Sequence, residues 1–185
     1  MVDVEFVQSS ILPEARARLV ARGYSREATH LVWIDSDMKF PADVIARLLN
    51  HNKPVVACNY PRKNMEAKPT AYIDDDGYVG PVWTGDNATG LQEVAHCGFG
   101  VMLTDMRVYD QLNLPYFSFE PMPPDNVKTL GEDVYFCRKL KDAGIPIFID
   151  HDLSKQIAHI GSFEYTNALS KEAEIVKQAL YKDIA

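Results

Sequence analysis

The sequence has no apolar run approaching the roughly 18 residues that a membrane-spanning helix requires, which excludes a helical membrane span. Its first residues, Met1-Val2-Asp3-Val4-Glu5, lack the basic region and apolar stretch of a secretory signal. Cysteine is scarce. Cys58, Cys97 and Cys137 are odd in number, far apart and without a Cys-x-x-Cys pair, which excludes a disulfide framework and a zinc knuckle. Apolar neighbours around each point to buried free thiols in a reducing compartment, so a cytoplasmic location is expected. Positive charge is also short: 19 Lys plus Arg against 26 Asp plus Glu leave a net charge of -7. Such a field disfavours a broad grip on nucleic acid or anionic membrane. An anionic substrate would need a specific device, such as a metal ion, to be held.

What is present is ordinary globular material. The 185 residues, 46% hydrophobic and 24% charged, fit one domain over residues 1–185 with a core of its own. Val2 to Val7 alternates apolar and acidic residues, as a half-exposed strand does. Pro13 opens a helical stretch ended by Gly23, with Ala15, Leu19 and Val20 apolar and Arg16, Arg18 and Arg22 polar. His30 to Ile34 reads as a buried central strand. Pro41 heads a helix with an apolar stripe of Val44, Ile45, Leu48 and Leu49, and Val55 to Cys58 is another buried strand. This order predicts an α/β fold with a mostly parallel sheet flanked by helices.

Further along, Ala71 to Val79 reads as a small hairpin turning at Asp74 to Gly77, and Pro81 to Gly90 as a loop. Val94 to Thr104 is a strand region broken by Gly98 and Gly100, with a short helix from about Asp105. Pro115 to Asp125 is a Pro-rich loop bearing Tyr116, Phe117 and Phe119. Thr129-Leu130-Gly131-Glu132 fits a capping box for a helix that runs to Ala143 and stops at Gly144. Ile145 to Ile149 is a last strand, and an amphipathic helix over Ser170 to Tyr181 closes the C-terminal part, residues 167–185.

Several residues could carry chemistry. Asp35-Ser36-Asp37 follows an apolar strand, and residues i and i+2 of an extended segment point the same way. Two hard oxygen donors at a strand end suit Mg2+ or Mn2+ sharing a phosphate oxygen, although one aspartate could instead cap a helix. In Gly131-Glu132-Asp133, the first acid is accounted for by capping, whereas Asp133 could be a general base or simply favour the helix dipole. His159 is either a hydrogen-bonded core histidine or a metal ligand. Arg16, Arg62 and Lys63 are candidate phosphate partners, with solvated loop charge the plainer reading of Lys63. Tyr60, Trp83, Tyr116, Phe117 and Phe119 could stack on a ligand or pack in the core.

The order of these signals resembles nucleotide-sugar glycosyltransferases of the GT-A fold, most of all family-2-type enzymes of phages and bacteria. The resemblance runs from about Phe6 to Thr166, and Trp33-Ile34-Asp35-Ser36-Asp37-Met38 is its most specific stretch. It implies that Asp35 and Asp37 hold a divalent metal and the diphosphate of a nucleoside-diphosphate sugar, with His159 as a further ligand. It implies that Asp133 is the base of an inverting transfer to a hydroxyl acceptor on a glycan, a protein or another molecule. Arg16 would lie beside the nucleotide. The family pattern also has a nucleoside-gripping strand and helix ahead of the unit matched by Val2 to Val7. The resemblance therefore implies a nucleotide site completed by a second copy, a partner chain or another segment. Two rival readings are a reduced, inactive module that binds metal and nucleotide sugar, and a phosphatase of the haloacid dehalogenase type. The phosphatase pattern places Asp-x-Asp on the first strand before Gly/Thr-like residues, unlike Met38-Lys39-Phe40 here.

Overall fold

Proline in a first helical turn costs no hydrogen bond, and α1 (Leu12–Ser25) starts with Pro13 there. Its buried residues include Arg16, Val20 and Gly23, a helical spacing that puts the arginine on the inner stripe and not on the outer face expected from its charge. The computed structural model describes residues 2–64, 66–75, 78–124, 128–161 and 164–169. The chain continues through β1 (His30–Ile34), β2 (Met38–Lys39), α2 (Val44–Asn50) and β3 (Val55–Ala57). A hairpin of β4 (Tyr72–Asp75) and β5 (Tyr78–Pro81) follows, then β6 (Leu91–Val94), β7 (Val101–Asp105) and a 3-10 turn over Met106–Gln111. Then come β8 (Glu120–Pro121), β9 (Thr129–Leu130), α3 (Glu132–Asp142), β10 (Ile147–Asp150), α4 (His151–Ser154), β11 (Ala158–Ile160) and β12 (Glu164–Thr166). The expected helix over Ser170 to Tyr181 lies outside the described residues. No described helix is long and apolar enough to cross a membrane.

The central sheet has the order β1-β7-β3-β10-β6. Of its pairings only β3 with β10 is parallel; β1–β7, β7–β3 and β10–β6 are antiparallel. The fold is therefore α/β, but its sheet is mostly antiparallel and not mostly parallel. The strand-helix-strand logic does hold for direction, because β1, β3 and β10 all run the same way. What it misses is insertion. Within the expected strand region 94–104, β6 ends at Val94 and β7 starts at Val101; the two are separated in the sheet by β3 and β10, and β7 enters between β1 and β3. β1 consequently ends the sheet and is half-buried, with only Trp33 fully covered, where a central strand was expected.

Alternation along the strands sorts the core onto two faces. Val55, Ala57 and Met102 join Trp33, Phe99, Phe117 and Phe136 on the face covered by α1 and α3. Val56, Val101 and Leu103 join Val44, Leu48 and Leu153 on the face covered by α2 and α4. Phe117, from the expected surface loop, is buried edge-on to Trp33 and stacked on Phe136 at 5.0 Å, while Phe119 stays exposed.

Three local expectations are corrected. Residues 2–9 form no strand; instead Asp3 and Glu5 are drawn onto α1 by Arg26 and Arg22, at 2.5 and 2.9 Å. Pro41 precedes α2, its carbonyl accepting from the Val44 N–H at 3.1 Å. The capping box does not form: Thr129 belongs to β9, and Gly131 stands at the N-cap with no side-chain bond. The end of α3 is as expected. Gly144 has φ +71°, its N–H bonds the Lys141 carbonyl and Ile145 bonds Leu140, which closes a Schellman motif.

Candidate functional site

The acidic turn is fixed by backbone contacts from distant parts of the chain. Where β1 ends, the Asp35 N–H donates to the Gly100 carbonyl at 3.0 Å, and Met38 N–H closes the turn on the Asp35 carbonyl at 3.2 Å. β2 then pairs with β11, setting Met38 opposite His159, and the Ile160 N–H donates to the Asp37 carbonyl at 2.7 Å. Asp37 and His159 thereby become neighbours, with His159 Nε2 3.4 Å from Asp37 Oδ2. Lys63 Nζ donates to that same oxygen at 2.5 Å. Partial burial works to raise the Asp37 carboxyl, but the Lys63 bond and the charges of His159 and Lys63 outweigh it and hold it below its ordinary value.

Asp35 has a different partner. Its Oδ1 lies 3.4 Å from Arg16 Nη2, and Arg16 Nε bonds Glu132 Oε1 at 3.1 Å. The guanidinium is buried over Phe99, 4.4 Å from the ring centre, and 5.7 Å from that of Trp33. Arg16 thus ties the acidic turn to the first turn of α3. Glu132, which the sequence explained by capping, is instead the buried partner of this arginine; burial raises its carboxyl and Arg16 works against that. The 16–20–23 spacing could have revealed the buried arginine, and a buried arginine demands a carboxylate.

Beneath the turn sits Tyr60, buried, its hydroxyl accepting from the Gly100 N–H at 2.8 Å. A Cβ on Gly100 would stand 2.6 Å from that hydroxyl oxygen and 2.8 Å from Met38 Sδ, and one on Gly98 would meet the hydroxyl as well. The two glycines therefore make room for a tyrosine of the chain itself. Burial raises the Tyr60 phenol, and the charge of Asp35 and then Asp133 adds to it, so both carboxylates act on one hydroxyl.

Asp133 is half-buried in the first turn of α3, its Oδ1 accepting from the Val134 N–H at 2.8 Å. A Cβ on Gly131 would fall 2.5 Å from that Oδ1, so the glycine is required by the folded-back carboxylate. Arg62 is exposed, its guanidinium 5.6 Å from the Tyr72 ring, and Tyr72 stacks on His96 at 4.9 Å. From this loop it is Lys63, which the sequence offered as a phosphate partner or a solvated charge, that reaches the acidic turn, at Asp37. Trp83 is half-buried in the loop after β5.

Among the described residues, no three carboxylate, imidazole or thiolate groups converge as a metal cage. The pair Asp37 and His159 nevertheless suits a cation. His159 Nδ1 donates to the Pro61 carbonyl at 3.2 Å, so in the neutral ring Nε2 carries a lone pair facing the Asp37 carboxylate. A cation seated between that lone pair and the carboxylate would take one donor from each. Mg2+ and Mn2+ bind through one or two protein groups plus phosphate oxygens, so a two-residue edge is enough. All three cysteines are free and buried, as expected.

No protein-family profile matches the chain, and no curated protein matches it. Among solved structures, A197 from STIV is similar in fold, with a TM-score of 0.57 and 17% identity over 83% of this chain and 70% of that one.

Proposed function

We propose that this chain is a glycosyltransferase-like protein that binds a nucleoside-diphosphate sugar at the acidic turn after β1 and transfers the sugar to a hydroxyl acceptor. The observation that carries the reading is the junction of Asp37 with His159, made by the β2–β11 pairing at the end of a strand closing in Asp-Ser-Asp. Asp37 and His159 would hold Mn2+ or Mg2+. The bound ion would supply positive charge to the departing diphosphate. Arg16 acts from below, fixing Asp35 on one side and Glu132 on the other, so that α3 is set against the turn. Asp133 takes the acceptor proton, its carboxylate oriented by the Val134 N–H and by the space over Gly131, and inversion at the anomeric carbon follows from direct displacement. Arg62, beside Tyr72 and His96, is available at the rim for a phosphate or acceptor group.

The test is a thermal-shift panel of nucleoside diphosphates with and without Mn2+, followed by sugar-nucleotide hydrolysis. A metal-dependent shift by one nucleotide, lost in Asp37→Ala, supports the reading. The absence of a shift with every nucleotide overturns donor binding. Binding without turnover, in the full chain and with acceptors supplied, would make the protein a binding module.

A further inference from the structure

The Asp37 carboxylate already carries a cation, and that cation belongs to the chain. Lys63 Nζ lies 2.5 Å from Asp37 Oδ2, the oxygen that His159 Nε2 faces at 3.4 Å, and the lysine side chain retains 30% of its exposure. Its placement is built in. Pro61 bridges Pro69, the Arg62 N–H bonds the Lys68 carbonyl at 2.9 Å, and Ala67 N–H bonds the Asn64 carbonyl at 3.0 Å. The Pro61 carbonyl of this loop also accepts from His159 Nδ1. One loop therefore orients the imidazole and delivers an ammonium to the carboxylate beside it.

An ammonium and a divalent ion cannot both occupy the same face of one carboxylate oxygen: each is a compact positive charge, and they repel at contact distance. Building on the metal site proposed above, we infer that Lys63 is a tethered competitor that a divalent ion must displace from Asp37. In the ion-free protein the lysine neutralises the carboxylate oxygen that His159 Nε2 also faces. On loading, the flexible stem carries the ammonium away while the Pro61 carbonyl keeps His159 in register. The loop thus sets the ion's affinity, and the turn is a poorer cation site than its ligands alone would make it.

Titration of the full chain with Mn2+ alone, read by the loss of the free-ion electron paramagnetic resonance signal, tests this without reference to catalysis. Lys63→Met is expected to bind Mn2+ roughly three- to ten-fold more tightly than the unaltered protein, the scale of one partly exposed ion pair. Lys63→Gln, which keeps the loop polar, should behave alike and covers the case in which the methionine variant folds poorly. Lys68→Met removes the same charge from the same loop at the Glu66 ion pair and should leave affinity within about two-fold. Asp37→Ala should abolish the tight site in every background. Unchanged or weaker binding in both Lys63 variants, with binding still dependent on Asp37, overturns the competitor and leaves the transferase reading intact. Equal tightening by Lys68→Met also overturns it, because net charge then accounts for the gain. Failure of every variant to bind Mn2+ overturns it together with the metal site, while nucleotide binding in the thermal-shift panel would still stand or fall separately.

Discussion

Two polar clusters sit where β1, β3 and β10 end, and they are built on opposite plans. After β3 and β10 the cluster is closed. Asn59 Nδ2 donates to the Val82 carbonyl and to Thr84 Oγ1, Asn59 Oδ1 accepts from Ala71 N–H, and Asn59 N–H reaches Ser154 Oγ. Thr84 Oγ1 continues to His151 Nδ1, whose other nitrogen meets Gln92 Oε1 at 2.8 Å, and Asn167 spans the carbonyls of Asn59 and Ser154. These groups are largely neutral and buried, and among the described residues no buried side-chain polar atom lacks a partner. After β1 the cluster is open: Asp35 and Asp37 keep 38% and 43% of their side-chain exposure, and their partners are charged. A network satisfied within the chain holds strands in place, whereas charges left at the surface are free to serve a ligand.

The sharpest way to break this comparison is Asp37→Ala. It should lower metal-dependent nucleotide binding on the order of 100-fold while changing unfolding free energy by less than about 1 kcal/mol. Loss of stability in place of binding, measured by urea titration beside nucleotide titration, would erase the distinction. The mirror experiment is Asn59→Ala, which strips three side-chain bonds from the closed cluster and should cost about 2–4 kcal/mol by the same urea titration. Gly100→Ala lies between the two regions. Its methyl would strike the Tyr60 hydroxyl, costing about 1–3 kcal/mol, and should also weaken nucleotide binding because the Gly100 carbonyl holds the Asp35 N–H.

The smallest effect is one of pH. Burial, with the charge of Lys155, pushes the His151 imidazole below its ordinary value of 6.5. The unfolded chain then binds this proton more readily than the folded one, so the stabilising contribution is full above 6.5 and is lost progressively as pH falls below it. Urea midpoints at pH 7.5 and 5.5 should show this decline, and His151→Gln should flatten it. An unchanged slope in that variant would assign the decline elsewhere, for instance to His96, which burial also pushes down.

Much of the fold was legible because its signals are local. The hairpin over β4 and β5, the stop of α3 at Gly144 and the extended runs of β1 and β3 each rest on residues close in sequence. Sheet order was not legible, since nothing in the residues of β6 or β7 says that the two take places separated by two other strands. The acidic turn and His159 stood out as residue types. Their meeting depends on β2 finding β11, a pairing too short to announce itself. Glu132 shows how a local signature misleads: the residues of a capping box were present, but a buried arginine claimed the glutamate. Lys63 read as a candidate phosphate partner or a solvated loop charge, and only the fold set it on Asp37.

The insertion of β7 beside β1 bears on how the site comes into being during synthesis. Among the described residues β1 has one neighbour in the sheet, and that neighbour emerges far later in the chain; the contacts on the turn from His159 and Ile160 come later still. A nascent chain that ends before Val101 holds the two aspartates with no partner strand for β1, and high contact order makes such closure slow. The cation capture proposed at Asp37 should therefore begin only when almost all the described chain has folded, which would make the acidic turn a natural reporter of finished folding.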